Sequence, residues 1–224
     1  RDRADWCSLS HEDLEVLNRA RICNTYQLNQ VVFYQGNPCL GLYCIESGTI
    51  GIRKNDSNGN SMLVRLANAG QTLGYRTFFA GGTYQASAVA METCNICFID
   101  SAAVRSLLKQ NPALGLRFLQ HMAEDLQHAE DVFFQSAYHS VRTRLAHLLL
   151  VLKDRYGTMA ADGTWTLKIP ILKQDIASML GARPETLSRA IRALEEDDVA
   201  SFEDQEVRVA DLDKLLDEIE VAHA

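Results

Sequence analysis

One face of a predicted helix carries four charged or polar side chains at spacings of three and four residues. These residues are Glu185, Ser188, Arg189 and Arg192. An arginine can donate to both O6 and N7 of guanine, a glutamate can accept from N4 of cytosine, and a serine can reach a base edge or a phosphate. The combination suits a helix that lies in the major groove of DNA. The alternative interpretation is an amphipathic helix pair whose charged face is only solvated.

Two predicted helices joined by a glycine turn would position this face. The first spans 173–180, and Gly181 can adopt the positive φ of the turn. Pro184 suits the first turn of the second helix, because the N–H that proline lacks would have no partner there. The buried stripe of the second helix would be Leu187, Ile191 and Leu194. We predict a helix-turn-helix whose DNA contacts are Lys173, Gln174, Arg183, Glu185, Thr186, Ser188, Arg189 and Arg192.

The overall charge excludes a protein that coats nucleic acid through a wide basic surface. The 224 residues carry a formal net charge of −7, and the pI is about 5.4. Non-specific binding to nucleic acid usually depends on an extended basic face. DNA contact must therefore come from a local basic patch, which Lys173, Arg183, Arg189 and Arg192 would supply.

Hydropathy and length define the class of protein. No stretch approaches the roughly 18 uninterrupted apolar residues of a membrane span, and the N-terminal residues are charged. We therefore expect a soluble, cytoplasmic protein with no membrane partner. The length suffices for two domains that each bury a core.

The chain has six cysteines. Reduced thiols are expected in a chain of this size that shows no secretory signal. Cys94 and Cys97 form a C-x-x-C pair that could bind a metal or undergo redox exchange. On a strand, however, side chains three residues apart point to opposite faces, which favours two small strand residues over a shared ligand site.

Short strands separated by turn residues dominate the sequence from 31 to about 100. The predicted strands are 31–34, 41–45, 49–53, 62–66, 86–90 and 95–99. The spacing predicts a small antiparallel barrel or jelly roll. A short helix that ends near Ala20 precedes it, with Ser10 as the capping residue.

A long helix, predicted from 113 to about 137, follows the strands. Its apolar residues recur at alternating spacings of three and four, as in a coiled-coil seam. The seam consists of Leu119, Met122, Leu126, Ala129 and Phe133, followed by Ser136. The helix could pack on its own barrel, but the regular heptad phase favours a homodimer.

The remaining residues predict a winged module. A helix over 141–156 leads to a strand over 164–169, and 199–202 and 206–209 form a hairpin after the helix-turn-helix. An amphipathic helix over 211–221 closes the chain. The expected fold class is α+β, with a sensory barrel over 1–111, a dimerisation helix over 112–138 and a DNA-binding domain over 139–224.

This order of barrel, long helix and winged helix-turn-helix resembles the CRP/FNR family of bacterial transcription regulators over nearly the whole chain. The segment 41–48 is similar to the glycine signature of that family's barrel. The segment 184–189 is similar to the FNR-type recognition helix, with Glu185, Ser188 and Arg189 at its three base-recognition positions. The resemblance implies a jelly roll that resembles a cyclic-nucleotide-binding domain. It also implies a palindromic operator with half-sites of the TTGAT type.

The residues of the effector pocket depart from the family's cyclic-nucleotide pattern. The corresponding positions are Gly74, Tyr75, Arg76, Gln85 and Ala86. Tyr75 replaces a glutamate that binds ribose, and Gln85-Ala86 replaces an Arg-Ser pair that binds the cyclic phosphate. Loss of that guanidinium removes about 1.5–3 kcal/mol of charged hydrogen bonding. Cyclic AMP is therefore not the expected effector, although Arg76 could turn inward to replace the missing arginine.

The resemblance also implies candidate ligands for an iron–sulfur cluster. Cys97 stands at the position of the barrel ligand in FNR, and the residues before Cys7 are similar to the lead-in to an N-terminal ligand. Further ligands would lie upstream of Arg1 or be Cys23, Cys39 or Cys44. A cluster with fewer than four strong ligands is usually labile. A cluster, a thiol-based or other small-molecule signal, and no effector all stay open as alternatives.

The sequence therefore predicts a dimeric regulator that binds double-stranded promoter DNA and, by resemblance, RNA polymerase. Its signal would be redox-dependent or another small molecule. One alternative is a small-molecule-binding barrel with a degenerate DNA-binding domain that acts through protein partners. A cupin-like enzyme would need histidine ligands on the strands, and 31–100 contains no histidine. No catalytic residues are expected.

Overall fold

The computed structural model describes residues 11–220, and the chain divides into two compact units, Arg1–His128 and Ala129–Ala224. The predicted cap Ser10 and the predicted ligand Cys7 lie outside the described residues. Across residues 11–220, none of the helices combines the length and the apolar character that crossing a lipid bilayer requires.

The first unit contains eight strands and the helices that flank them. In chain order these elements are α1 (His11–Ala20), β1 (Ile22–Tyr26), β2 (Val31–Phe33), β3 (Gly41–Ser47), β4 (Thr49–Asn55), β5 (Ser61–Asn68), β6 (Thr72–Leu73), α2 (Tyr75–Ala80), β7 (Ser87–Ala90), β8 (Cys94–Asp100), α3 (Ser101–Gln110) and α4 (Pro112–Tyr138). Helix α4 crosses the boundary between the two units.

Two four-stranded antiparallel sheets form the predicted barrel. Their strand orders are β2-β7-β4-β5 and β1-β8-β3-β6. Side chains from both sheets, among them Phe33, Ile50 and Ile96, form the core between them. The sequence prediction of a small antiparallel barrel is confirmed.

Strand β8 is apolar on both faces because it lies between two cores. Cys94 and Ile96 pack between the sheets, whereas Cys97 and Ile99 pack on the opposite side. On that side the sheet is covered by helical residues, including Leu114 and Phe118 of α4, which are fully buried. At the end of the strand, Asp100 caps α3 by accepting hydrogen bonds from two backbone N–H groups, at 2.8 and 2.9 Å.

Four elements of the first unit were not predicted. They are β1, β6, α2 and α3. Strand β1 is mostly exposed, and its residues do not alternate between apolar and polar side chains. Strand β6 has two residues and α2 has six, which is too short for periodicity to be recognised.

The second unit contains the end of α4 and then the elements of a winged module. Its elements are α5 (Val141–Tyr156), β9 (Gly157–Met159), β10 (Trp165–Lys168), α6 (Lys173–Met179), α7 (Pro184–Glu196), β11 (Ser201–Glu203), β12 (Glu206–Val209) and α8 (Leu212–Glu220). The strands form one antiparallel sheet in the order β11-β12-β10-β9. Ser140 caps α5 by accepting from the N–H of Thr143 at 3.1 Å. The predicted α+β fold with a long helix before the winged module is confirmed.

Gly41 provides a test of the barrel packing. A Cβ at Gly41 would lie 2.0 Å from the carbonyl oxygen of Ile99, a backbone atom of the neighbouring strand. We expect Gly41→Ala to lower the free energy of unfolding by about 1–3 kcal/mol or more, because the strand pair must separate to admit the methyl group. Calorimetric unfolding of the full chain measures this loss.

Gly115→Ala is the matched control for that substitution. Gly115 lies within α4, and a Cβ there would make only an ordinary contact, 3.7 Å from Leu108 Cδ2. We expect Gly115→Ala to stabilise the protein by about 0.5–1 kcal/mol, because alanine has the higher helix propensity. Equal effects of the two substitutions would contradict the close approach of β3 and β8.

Candidate nucleic-acid interface and effector pocket

The turn between α6 and α7 has the predicted geometry. Gly181 has a positive φ of 58°, and Pro184 is the first residue of α7. The buried side of α7 consists of Leu187, Ala190, Ile191 and Leu194. The opposite side of this helix is therefore available for contact with DNA.

The structure brings most of the predicted DNA contacts to the surface of α6 and α7. Exposed residues are Lys173, Gln174, Arg183, Glu185, Ser188, Arg189 and Arg192, whereas Thr186 is half-buried. The Ser188 hydroxyl donates to the carbonyl oxygen of Pro184 at 2.9 Å. Arg189 Nη2 donates to Thr186 Oγ1 at 3.5 Å, so its guanidinium lies along the helix. The exposed side of α7 thus carries Arg189 and Arg192 together with the hydrogen-bonding side chains of Glu185 and Ser188.

Two arginines near the start of α5 hold the ends of both helices, and sequence analysis missed them. Arg142 donates to Glu218 of α8 and, at 2.6 Å, to Asp197, the residue after α7. These hydrogen bonds, the stronger with Glu218, raise the pKa of Arg142. Arg144 Nη1 donates to the carbonyl oxygen of Leu180 at 2.6 Å, at the end of α6. Burial lowers the pKa of Arg144.

One signal in the sequence could have identified these arginines. The helix dipole makes a cation unfavourable near the N-terminus of a helix, so such a side chain needs hydrogen-bond acceptors in other elements. Arg142 and Arg144 stand in the first turn of α5 and have such acceptors in other elements.

The wing between β11 and β12 is acidic. It carries Glu203, Asp204 and Glu206, and Arg208 is paired with Glu206 at 3.0 Å. These carboxylates would repel DNA phosphates. We therefore expect phosphate contacts from α6 and α7 rather than from the tip of the wing.

The pocket residues Tyr75 and Arg76 are bound by a carboxylate of α4. The Tyr75 hydroxyl donates to Asp125 Oδ2, and Arg76 Nη2 lies 2.6 Å from the same atom. Burial, followed by this hydrogen bond, raises the pKa of Tyr75. Burial lowers the pKa of Arg76, but the bonds to Asp125 outweigh it and the pKa is raised. In this structure the Arg76 guanidinium is therefore engaged by α4.

The other pocket residues offer no cation. Gln85 is exposed and donates to the carbonyl oxygen of Thr83, whereas Ala86 is half-buried. Beside them, Tyr84 is buried and stacks on Phe33 with ring centroids 4.0 Å apart. The ring of Phe33 also lies 5.4 Å from that of Tyr43, so aromatic side chains pack beside Gln85 in the core of the barrel.

Cys97 forms a disulfide with Cys23, which lies opposite it on β1. The expectation of reduced thiols is therefore wrong for this pair. While the bond is intact, Cys97 has no thiolate to offer a metal. No group of three or more His, Cys, Asp or Glu side chains that could hold a metal ion exists between residues 11 and 220. The described residues thus do not fit an iron–sulfur cluster.

The predicted seam on α4 is largely exposed. The exposed fractions are 57% for Leu119, 62% for Leu126 and 76% for Phe133, and Ala129 is exposed as well. Met122 differs, because it is partly buried against the core of the first unit. An apolar stripe of this kind is typical of a surface that a partner covers.

Two family models match the chain. Residues 23–111 match the cyclic nucleotide-binding domain, and residues 143–218 match the Crp-like helix-turn-helix domain. The matched segments correspond to the barrel with α3 and to the winged module.

Curated relatives and solved structures agree with these matches. The cAMP-activated global transcriptional regulator CRP of Salmonella typhimurium is 28% identical over 178 residues, which cover 79% of this chain and 83% of the relative. The anaerobic regulatory protein of Bacillus subtilis is 26% identical over 197 residues, 88% of this chain and 82% of the relative. A CRP/FNR-family regulator from Thermus thermophilus has the same fold, with a TM-score of 0.74, 21% identity and coverage of 89% and 98%.

Base recognition by Arg189 can be tested directly. We expect Arg189→Ala to weaken binding to a specific site by about 1–3 kcal/mol and to relax the choice at one base pair, because a bidentate contact to guanine is lost. Competition binding against a set of single-base variants of the site measures both effects.

Lys173→Ala is the matched control, since it removes one exposed cation from α6. It should weaken binding to all sequences alike and reduce the salt dependence, as expected for a phosphate contact. Unchanged base preference in Arg189→Ala would show that α7 is not the recognition helix.

Proposed function

The chain belongs to the CRP/FNR family of DNA-binding transcription regulators, and on this premise we propose that it acts as a homodimer on a palindromic promoter site. We further propose half-sites of the TTGAT type. The observation that carries the proposal is the exposed face of α7, on which Glu185, Ser188 and Arg189 point away from a fully apolar buried stripe. We also propose a cytoplasmic location and contact with RNA polymerase at the promoter.

The exposed stripe of α4 supports the homodimer. Burial of one large apolar side chain contributes about 1.5–3 kcal/mol relative to exposure. A symmetric helix pair would bury Leu119, Leu126 and Phe133 twice, once from each copy. Two copies of α7 related by the same symmetry axis would match the two halves of a palindrome.

The pocket supports a signal other than cyclic AMP. Gln85 and Ala86 supply no positive charge, and Arg76 is already bound to Asp125. A buried phosphate needs a charge-assisted donor, which these residues do not provide. The Salmonella relative is named for activation by cAMP, whereas the contacts of Arg76 and Gln85 support a different signal for this chain.

We propose that the signal is redox-dependent and acts through the disulfide between Cys23 and Cys97. Disulfides in cytosolic proteins are usually redox-sensing or catalytic rather than structural. Cys23 is exposed and borders a cleft of about 170 Å³, so a thiol reductant can reach it. Attack of a dithiol would break the S–S bond, leave two thiols on the protein and convert the dithiol into a disulfide.

The buried position of Cys97 gives this chemistry a route to α4. Cys97 belongs to the same core as Tyr75, Leu114 and Phe118, and the last two residues lie on α4. A change at the disulfide is therefore separated from the long helix only by packed side chains. Energetic coupling can pass through such a continuous core.

Dimerisation through α4 can be tested by introducing negative charges into its exposed apolar seam. Leu126→Glu combined with Phe133→Glu should give monomers in sedimentation velocity and abolish binding to a palindrome, because four carboxylates would meet in an apolar interface. The control is Gln120→Glu combined with Gln127→Glu, which adds the same charge at two exposed positions beside the seam. If the variant with both seam substitutions remains dimeric, the dimer interface lies elsewhere.

The redox signal is tested by comparing DNA affinity with and without dithiothreitol. We expect the wild-type affinity to change by about fivefold or more, the usual range of allosteric coupling. Cys23→Ser and Cys97→Ser should each abolish the change. Cys39→Ser, which alters a half-buried cysteine outside the disulfide, should retain it.

Two results would contradict the disulfide signal. A wild-type protein with the same affinity in both conditions would exclude it. A response that survives Cys23→Ser but not Cys97→Ser would assign Cys97 a role other than the disulfide, such as that of a ligand.

A further inference from the structure

Asp125 is a charged residue of α4 that contacts Tyr75 and Arg76, two of the residues assigned to the effector pocket. Its side chain is 22% exposed, and it is bound by groups from two parts of the barrel. Tyr75 and Arg76 of α2 donate to Oδ2, and Arg65 Nη1 of β5 lies 3.7 Å from Oδ1. One carboxylate thus receives a phenol and two guanidinium groups.

This carboxylate occupies the place at which α4 stops packing on the barrel. Leu114, Phe118 and Asp125 lie on one side of the helix, at spacings of four and seven residues. The first two are fully buried, and Tyr75 stacks on Phe118 with ring centroids 5.8 Å apart. By contrast, every residue from Leu126 to Phe134 is exposed. Asp125 is therefore the polar end of the contact between α4 and the barrel.

We propose that Asp125 is a built-in anionic ligand of the effector pocket and determines its specificity. It holds α4 against the barrel in the absence of a small molecule, and it excludes anionic ligands because they must compete with it for Arg76. The proposal rests on the proposed function in one respect, because it takes the signal to be something other than cyclic AMP.

The chemistry of the cluster supports exclusion of anions. A charge-assisted bond between a guanidinium and an oxyanion is roughly twice as strong as a neutral hydrogen bond. Arg76 makes two such bonds to Asp125, through Nε at 2.8 Å and Nη2 at 2.6 Å. An incoming phosphate would have to break both bonds and would then lie next to a mostly buried carboxylate whose remaining partners are Tyr75 and Arg65. An uncharged side chain at position 125 removes both obstacles.

Asp125→Asn tests the proposal without DNA. Hydrogen exchange of amides 121–129 should become about tenfold faster, because the charged end of the contact is lost. Cyclic AMP is the probe for the pocket, and its dissociation constant is measured by calorimetry. We expect a dissociation constant of about 1 mM or weaker for the wild type and about tenfold tighter binding by the variant. Arg76→Gln added to Asp125→Asn should abolish the gained affinity.

Two further variants keep the result interpretable. Glu124→Gln removes the same charge at the neighbouring exposed position and should leave exchange and cyclic AMP binding unchanged. Arg76→Gln alone should accelerate exchange as Asp125→Asn does, and the two effects should be non-additive, as expected for one shared interaction. The exchange measurement on Arg76→Gln stays informative if the Asp125→Asn protein is poorly folded.

Three results would overturn the proposal. Unchanged exchange in both Asp125→Asn and Arg76→Gln would show that the cluster does not hold α4. Unchanged cyclic AMP affinity in a folded Asp125→Asn protein would show that Asp125 does not exclude anions, and tight binding by the wild type would show the same. A failure of DNA binding affects none of these measurements, so the proposed function and this inference can fail separately.

Discussion

The first unit depends on one constraint, which is that strand β8 must be apolar on both faces. Ile96 belongs to the core between the sheets, and Ile99 belongs to the core beneath the helices. The same strand pairs with β1 and β3 and ends in Asp100, the cap of α3. A polar side chain at a buried position of β8 would therefore disturb whichever of the two cores it faces, and Cys97 occupies one of the positions beneath the helices.

In both units, charged side chains also hold helices in position. Arg142 and Arg144 bind the ends of α7 and α6, and Asp125 binds α2 and β5. Each of these groups is only partly exposed, and Arg142 and Asp125 have partners in more than one element. Bonds of this type are directional, so they fix the rotation of a helix more closely than apolar contacts do.

The sequence predicted the elements that have strong periodicity and missed the contacts between distant residues. The strands of the barrel, the long α4 and the helix-turn-helix were recognised because apolar spacing and turn residues agree locally. Strand β1 was missed because its residues are mostly exposed and show no alternation of apolar and polar side chains. The Cys23–Cys97 bond joins residues 74 apart, and cysteine pairing cannot be deduced from sequence alone. Asp125 resembles any solvated carboxylate on a helix until its three partners are placed around it.

Helix α7 separates stability from recognition, and this separation has a consequence for how the family can diversify. Leu187, Ile191 and Leu194 hold the helix in place, whereas Glu185 and Arg189 make no contribution to the core. Substitutions on the exposed face can therefore accumulate without loss of folding free energy. Homologous proteins that differ in the exposed side chains of α7 can therefore share the barrel and the buried side of α7 unchanged.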